Sequence, residues 1–141
     1  MDELRIVVVR DDEANLEKLA EEQGLSLAED EDIQQKFEPG TVIILTGQTE
    51  LVGRFIMSLV EKFHGGVRMD MTAQPPLIKR SSEIPYGFIY LFFVDGEVEV
   101  DAKADALGSV VEAVFSLPFE ASADSAKSAI AAARESSKAG G

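Results

Sequence analysis

The sequence predicts an α+β domain, with a mixed β-sheet that includes a hairpin in its C-terminal half and is packed by two to three amphipathic helices. In the first half of the chain, short β-branched apolar runs alternate with segments of helical periodicity. Further on, the pair Asp95–Gly96 lies between two strand-like runs, which is a hairpin signal. The 141 residues, of which 45% are hydrophobic, suffice for one core. We therefore expect a single domain over residues 1–118 and a tail over residues 119–141.

The first third of the chain predicts a strand, a helix and a less regular acidic segment. The run LRIVVVR, residues 4–10, has the composition of a strand that is buried on both faces. The segment DEANLEKLAEEQG follows as a helix, which Asp11 or Asp12 can cap and Gly24 can end. Residues 25–38 predict a brief extended piece, and then a loop or the start of a short helix.

The middle of the chain predicts a second strand, the most regular helix and a third strand. TVIILTG, residues 41–47, is again apolar and β-branched. In QTELVGRFIMSLVEKFHGG, residues 48–66, apolar side chains recur at three- and four-residue steps and form one broad face. VRMDMT, residues 67–72, alternates as a strand does. AQPPLIKRSSEIP, residues 73–85, is polar and contains three prolines, and we expect it to be a long loop.

The stretch IPYGFIYLFFVDGEVEVD, residues 84–101, concentrates aromatic side chains. Five of the ten aromatic residues of the chain lie between positions 86 and 93. A two-residue Asp95–Gly96 turn places Phe92 opposite Glu99, and opposed residues share a face of the sheet. One face of the hairpin is then wholly apolar and belongs to the core. It consists of Ile89, Leu91, Phe93, Val98 and Val100.

The other face of the hairpin is mixed. It carries Phe88, Tyr90, Phe92 and Val94 on the first strand beside Glu97, Glu99 and Asp101 on the second. In one interpretation, the second strand lies at the edge of the sheet, and a helix or the tail covers only the aromatic strand. In the other, aromatic rings rimmed by carboxylates form a protein-binding patch, and all of these residues except Val94 contact a partner.

A last helix and a tail of different composition follow the hairpin. KADALGSVVEAVFSL, residues 103–117, predicts a helix with an apolar face, which Pro118 ends. Alanine and serine then predominate, and Ile130 is the only large apolar residue after Phe119. Because such a stretch buries little surface, we expect a marginal helix that frays into a disordered end.

The charge of the chain restricts its partners. The net charge is −13, to which residues 1–38 contribute −9, residues 39–93 contribute +1 and residues 94–141 contribute −5. This balance argues against direct contact with nucleic acid or an anionic membrane surface, and it favours a protein partner with a basic surface. The absence of cysteine, and of a signal or transit peptide in MDELRIVVVR, fits a cytoplasmic protein. The sequence is also compatible with a homo-oligomer, since an aromatic sheet face could form a dimer interface.

No catalytic, cofactor-binding or metal-binding signature stands out. The first strand, acidic pair and helix are similar to the start of receiver domains of two-component signalling, but no strand in residues 25–40 leads to a phosphoacceptor Asp. The acids at residues 29–32 lack the spacing of an EF-hand. His64 is the sole histidine of a chain without cysteine, which disfavours zinc. We therefore expect neither an enzyme nor a cofactor.

The strand–helix start and the amphipathic helix are followed by two further stretches, VRMDMT and VDGEVEVDAKADALGSVVEAVF. This order resembles the small effector-associated constant component proteins of bacterial conflict systems, over residues 4–116. In those proteins a helix precedes a strand pair with an Asp-Gly turn, and a final helix closes the domain. Residues 73–85 and the tail depart from that pattern. The resemblance implies a non-enzymatic module that links other components by protein contact, and it transfers no functional residue.

The expected function is therefore that of a non-enzymatic protein–protein interaction module, an adaptor or component of a bacterial defence or regulatory assembly. The alternative is an acidic immunity or inhibitor protein, which binds the basic cleft of a toxin or nuclease. In that case the acids of residues 29–32 and 97–101 imitate phosphates. An enzyme with an unrecognised site is a third class.

Overall fold

A computed structural model describes residues 3–10, 15–38, 40–62, 65–73, 75–101, 107–117 and 121–140. These residues form seven strands and five helices, which confirms the α+β class. In chain order the elements are β1 (Glu3–Val9), α1 (Leu16–Glu22), β2 (Ser26–Ala28), α2 (Glu31–Gln34), β3 (Val42–Gln48), α3 (Thr49–Lys62), β4 (Gly66–Asp70), β5 (Leu77–Ser81), β6 (Phe88–Phe93), β7 (Gly96–Asp101), α4 (Leu107–Phe115) and α5 (Ala123–Gly140).

The strands form one mixed sheet in the order β2-β3-β1-β5-β4-β6-β7. The pairs β1–β5 and β4–β6 are parallel, and the other neighbours are antiparallel. The two edges of this sheet are therefore β2, which has three residues, and β7, which has six.

The main core lies between one face of the sheet and four helices. The predicted apolar face of α3 is buried there, with Val52, Phe55, Ile56, Leu59 and Val60 each at most 3% exposed. Helices α1, α4 and α5 add side chains to the same cluster, and every strand except β2 does so too. Burial of this apolar surface is what holds the helix layer against the sheet.

A smaller cluster lies on the opposite face of the sheet, under α2. It is formed by Val7, Ile33 and Ile44, with Phe37 and Leu77 packed against it. Helix α2 begins at an N-cap, Asp30, whose side chain accepts a hydrogen bond from the Ile33 amide at 3.2 Å. The acidic segment thus forms a short helix, one of the two outcomes that its sequence left open.

Helix α1 begins later than the sequence predicts. Its N-cap is Asn15, whose side-chain oxygen accepts a hydrogen bond from the Lys18 amide at 3.1 Å. The expected caps, Asp11 and Asp12, lie outside the described residues. At the other end the expected stop is found, because Gly24 takes a φ of +83°, which favours glycine.

The prediction of one long loop over residues 73–85 is wrong, because residues 77–81 form β5 in the middle of the sheet. Ile78 is fully buried in the main core, while Lys79 is exposed on the other side. The prolines do not interrupt the strand, since Pro75 and Pro76 precede it and Pro85 follows it. The Pro76 carbonyl accepts a hydrogen bond from the Val7 amide at 3.0 Å. The sequence pattern did not reveal this central strand, because only one of its faces contacts the main core and the other carries polar side chains.

The predicted hairpin is present, but its register differs from the expected one by two residues. Val94 and Asp95 form the turn and Phe93 pairs with Gly96, so that Phe92 lies opposite Glu97 and not opposite Glu99. A shift of two preserves the alternation of faces, and the predicted apolar face does enter the core. Val94, which was expected on the mixed face, lies instead at the turn and is 80% exposed.

The Ala/Ser-rich segment forms the 18-residue helix α5 and is not a peripheral element. Ala123, Ala126 and Ile130 are buried in the main core, where the small side chains allow a close approach to the sheet. The Asp95 carboxylate accepts a hydrogen bond from the Ala123 amide at 2.8 Å and so joins the hairpin turn to the start of the helix. The expectation that this stretch buries little surface overlooked these three positions.

Candidate protein-binding face

The six residues predicted to contact a partner lie on one side of the sheet. Strand pairing places Phe88 beside Asp101, Tyr90 beside Glu99 and Phe92 beside Glu97. We call this side of β4 to β7 the open face, and its charged and aromatic residues are Arg68, Asp70, Lys79, Phe88, Tyr90, Phe92, Glu97, Glu99 and Asp101. The structure thus brings the predicted residues together as an aromatic column beside an acidic column.

The described helices leave the open face uncovered. Buried side chains of α1, α3, α4 and α5 all belong to the core on the opposite side of the sheet, and α2 packs over β1 and β3. Among the described residues, neither hydrophobic cluster includes Phe88, Tyr90 or Phe92. Strand β7 does lie at an edge, as the first interpretation requires, but the tail helix packs behind the hairpin and not over its rings.

A basic column on β4 and β5 completes the open face, and the sequence did not single it out. Arg68 pairs with Lys79 on one side and with Tyr90 on the other, and both basic side chains are exposed. The alternation of VRMD would have placed Arg68 opposite to the core, but no local signal reveals which strand lies beside it. Lys79 was missed because its strand was taken for a loop.

Arg68 shields part of the aromatic column. Its Cζ atom lies 4.1 Å from the centroid of the Phe92 ring, which is a cation–π contact. The guanidinium covers part of the apolar ring and so contributes to the burial of Phe92, which is half-buried with no described helix above it. A partner that binds here would meet a ring and a guanidinium side by side.

A hydrogen bond links the aromatic and acidic columns. The pKa of Tyr90 is raised above its usual value, first because its hydroxyl donates to the Glu99 side chain, and then because of partial desolvation and the negative charges of Glu99 and Glu97. Each of these effects disfavours a phenolate on a face that already carries carboxylates. Tyr90 therefore stays a neutral donor, with its ring half-buried among charged neighbours.

The end of β4 is locally constrained. The Asp70 carboxylate accepts hydrogen bonds from the amide of Thr72 at 2.9 Å and from its hydroxyl at 2.5 Å. This arrangement closes a turn directly after the strand. Asp70 is thus engaged within the chain, as Glu99 is by Tyr90, while Glu97 and Glu99 both remain exposed to solvent.

The structure does not arrange the other candidate residues that it describes as a catalytic or metal-binding site. Asp30, in the acidic run of residues 29–32, caps α2 and accepts a hydrogen bond from Arg5 at 3.1 Å. His64 lies outside the described residues. In the part of the chain that the structure describes, no group of three or more histidine or acidic side chains is arranged to hold a metal ion.

Comparisons with known proteins identify no relative. None of the protein-family models, curated proteins or solved structures compared with the chain matches it. Within the described ranges, no helix combines the length and the apolar character needed to cross a membrane.

Proposed function

We propose that the chain is a non-enzymatic protein-binding module, and that the open face is its contact surface. One observation carries this proposal. Three aromatic rings, Phe88, Tyr90 and Phe92, lie on the side of the sheet that the described helices leave uncovered. Aromatic side chains within a polar rim are typical of protein interfaces, in which a few buried residues carry most of the binding energy.

Within this proposal, the chain is an adaptor or component of a bacterial defence or regulatory assembly. That assignment depends on the resemblance to the effector-associated constant component proteins, in which a helix, a strand pair and a last helix occur in the order of α3, β6–β7 and α4. The inserted strand β5 adds Lys79 to the open face. Within this proposal, the insert enlarges the contact surface beyond the pattern of that family.

The test is capture of a partner by the tagged chain, followed by measurement of affinity for the captured protein. We expect Phe92→Ala to weaken binding about tenfold, because truncation of a central aromatic residue typically costs more than 1 kcal/mol. Phe88→Ala should act in the same direction. Leu27→Ala is the matched control, since Leu27 is 58% exposed on β2 at the opposite edge of the sheet.

Equal binding by Phe92→Ala, Phe88→Ala and the wild type, with the fold intact by circular dichroism, would show that the open face is not the contact surface. The Leu27→Ala control should bind as the wild type does. Loss of binding in that control would instead point to the β2 edge.

A second candidate is the acidic immunity or inhibitor protein. It is supported by the exposure of Glu97 and Glu99 on neighbouring outward positions of β7, and by the net charge of −13. Arg68 and Lys79 on the same face disfavour it, because they would meet a basic cleft with like charge. Under this candidate, Glu97→Gln and Glu99→Gln reduce affinity more than Phe92→Ala does, and binding falls steeply with salt.

A further inference from the structure

Strand β7 offers hydrogen-bonding groups at the edge of the sheet. Among the described residues it pairs with β6 alone. The pair Phe93–Gly96 closes the two-residue turn and is therefore hydrogen-bonded, so the backbone groups of Glu97 and Glu99 point away from β6. No backbone hydrogen bond outside the ladder engages either residue in the described part of the chain. These donors and acceptors are a template for an added strand.

Helix α5 turns this edge into a groove. A concavity of about 370 Å³ runs between β7 and α5, and its walls are formed by Glu97, Val98, Glu99, Lys127, Ile130 and Arg134. Val98 and Ile130 belong to the main core, so the floor of the groove is apolar. The hydrogen bond from the Ala123 amide to Asp95 holds the start of the helix against the hairpin turn beside it.

The other edge of the sheet differs in the length of its strand, although a concavity of about 470 Å³ also lies beside it, between α1 and Leu27. Strand β2 is three residues long, whereas β7 has six. A strand of three residues can pair with a peptide over only about 10 Å. The longer edge is therefore the one at which an extended segment would gain a useful number of hydrogen bonds.

We infer that the β7 edge binds an extended segment of another protein by strand addition, and that this segment alternates basic and apolar residues. Side chains of an added strand alternate between the two sides of the sheet. Those on the open-face side meet the carboxylates of Glu97 and Glu99 and should be basic. Those on the helix side meet Ile130, and Lys127 disfavours a basic residue there.

A second copy of the chain is disfavoured as the occupant. Two β7 strands that pair with each other would bring their glutamates together, and each chain carries a net charge of −13. Acidic residues on an edge strand thus act selectively, because they repel an acidic strand and attract a basic one. The inference goes beyond the proposed function, since it concerns the backbone edge of β7 and not the rings of the open face, and either can fail alone.

The experiment uses the full chain and a seven-residue capped peptide that alternates valine and lysine. Amide chemical shifts of the ¹⁵N-labelled protein report the site, and their titration gives the affinity. We expect the shifts to centre on Glu97, Glu99 and Ile130. A peptide with glutamate in place of lysine should bind at least tenfold more weakly, as should the valine–lysine peptide when the backbone nitrogens that face β7 are methylated.

The decisive variant is Glu99→Pro, matched with Glu99→Gln. Proline removes the outward N–H of residue 99 and leaves the β6–β7 hydrogen bonds in place, while glutamine removes only the charge. We expect Glu99→Pro to bind the peptide at least tenfold more weakly than Glu99→Gln does. If Glu99→Pro does not fold, the methylated peptide tests the same hydrogen bonds from the opposite side. Phe92→Ala should bind the peptide as the wild type does, which separates this inference from the proposed function.

Three results would overturn the inference. Equal peptide binding by Glu99→Pro and Glu99→Gln would show that no strand is added. Shifts confined to Phe88, Tyr90 and Phe92 would place the peptide on the open face. Sedimentation of the wild type as a dimer that Glu99→Pro abolishes would make a second copy the occupant.

Discussion

Asp95 joins the turn of the β6–β7 hairpin to the first turn of α5, and its loss should therefore loosen both. The carboxylate accepts a hydrogen bond from the Ala123 amide at 2.8 Å, while the Ser122 hydroxyl accepts one from the Ser125 amide at 3.1 Å. These are two of the four amides that a helix leaves unsatisfied at its N-terminus. In Asp95→Ala the Ala123 amide loses its partner and the helix N-terminus loses a negative charge.

The expected cost follows from these two losses. Removal of a capping side chain costs about 1 kcal/mol, and loss of a carboxylate near a helix N-terminus costs about 0.5 kcal/mol more. An unfolding entropy of about 2.1 cal/mol/K per residue, over the 141 residues, comes to about 0.3 kcal/mol/K. A loss of about 1.5 kcal/mol should therefore lower the Tm of Asp95→Ala by about 5 °C, measured by differential scanning calorimetry.

Asp124→Ala is the matched control for this prediction. Asp124 is an exposed acid in the same first turn of α5, so its removal takes away a similar charge but not the Asp95 hydrogen bond. The Tm of Asp95→Asn should lie between those of Asp95→Ala and Asp124→Ala, because the amide oxygen of asparagine can still accept the hydrogen bond from Ala123. A Tm for Asp95→Ala equal to that of Asp124→Ala would refute the reasoning, since the hydrogen bond across 28 residues would then contribute nothing to stability.

Two further predictions concern the hairpin and its neighbour β4. Gly66→Ala should destabilise the fold by about 2 to 3 kcal/mol in urea unfolding, because a Cβ there would lie 2.5 Å from the Phe88 carbonyl oxygen, where the backbone cannot yield cheaply. In a Tyr86→Phe background, Glu99→Ala should lower the pKa of Tyr90 in an absorbance titration, because the hydrogen bond that raises it is gone. Since the raised pKa belongs to the folded state, this bond stabilises the fold below pH about 10 and its contribution is lost as pH rises through the raised pKa. An unchanged Tyr90 titration would mean that Glu99 does not hold the hydroxyl.

Much of the candidate site was accessible from the sequence because a strand alternates its side chains with a period of two. That period placed Phe88, Tyr90 and Phe92 on one side of the hairpin together with three carboxylates, even though the expected register was wrong by two residues. The local Asp-Gly signal located the turn but not the two residues that form it, which are Val94 and Asp95 and not Asp95 and Gly96. Asp95 lies in the turn where its carboxylate reaches α5, an element more than twenty residues away.

Other parts could not be predicted because they depend on contacts between distant segments. Strand β5 has few apolar residues, and its place is defined by β1 on one side and β4 on the other. The composition of α5 predicts a weak helix, yet Ala123, Ala126 and Ile130 pack in the main core. Lys79 is part of the open face only because β5 pairs with β4.

The sequence by itself determined which side chains share a face of each strand and helix, because these periods are properties of local backbone geometry. It also determined the acidic charge and the apolar surface available for a core. The tertiary structure alone decided which face the helices cover, which strands are neighbours and where the sheet ends. Those outcomes depend on how the whole apolar surface is buried at once, and thus on pairings between residues far apart in the chain.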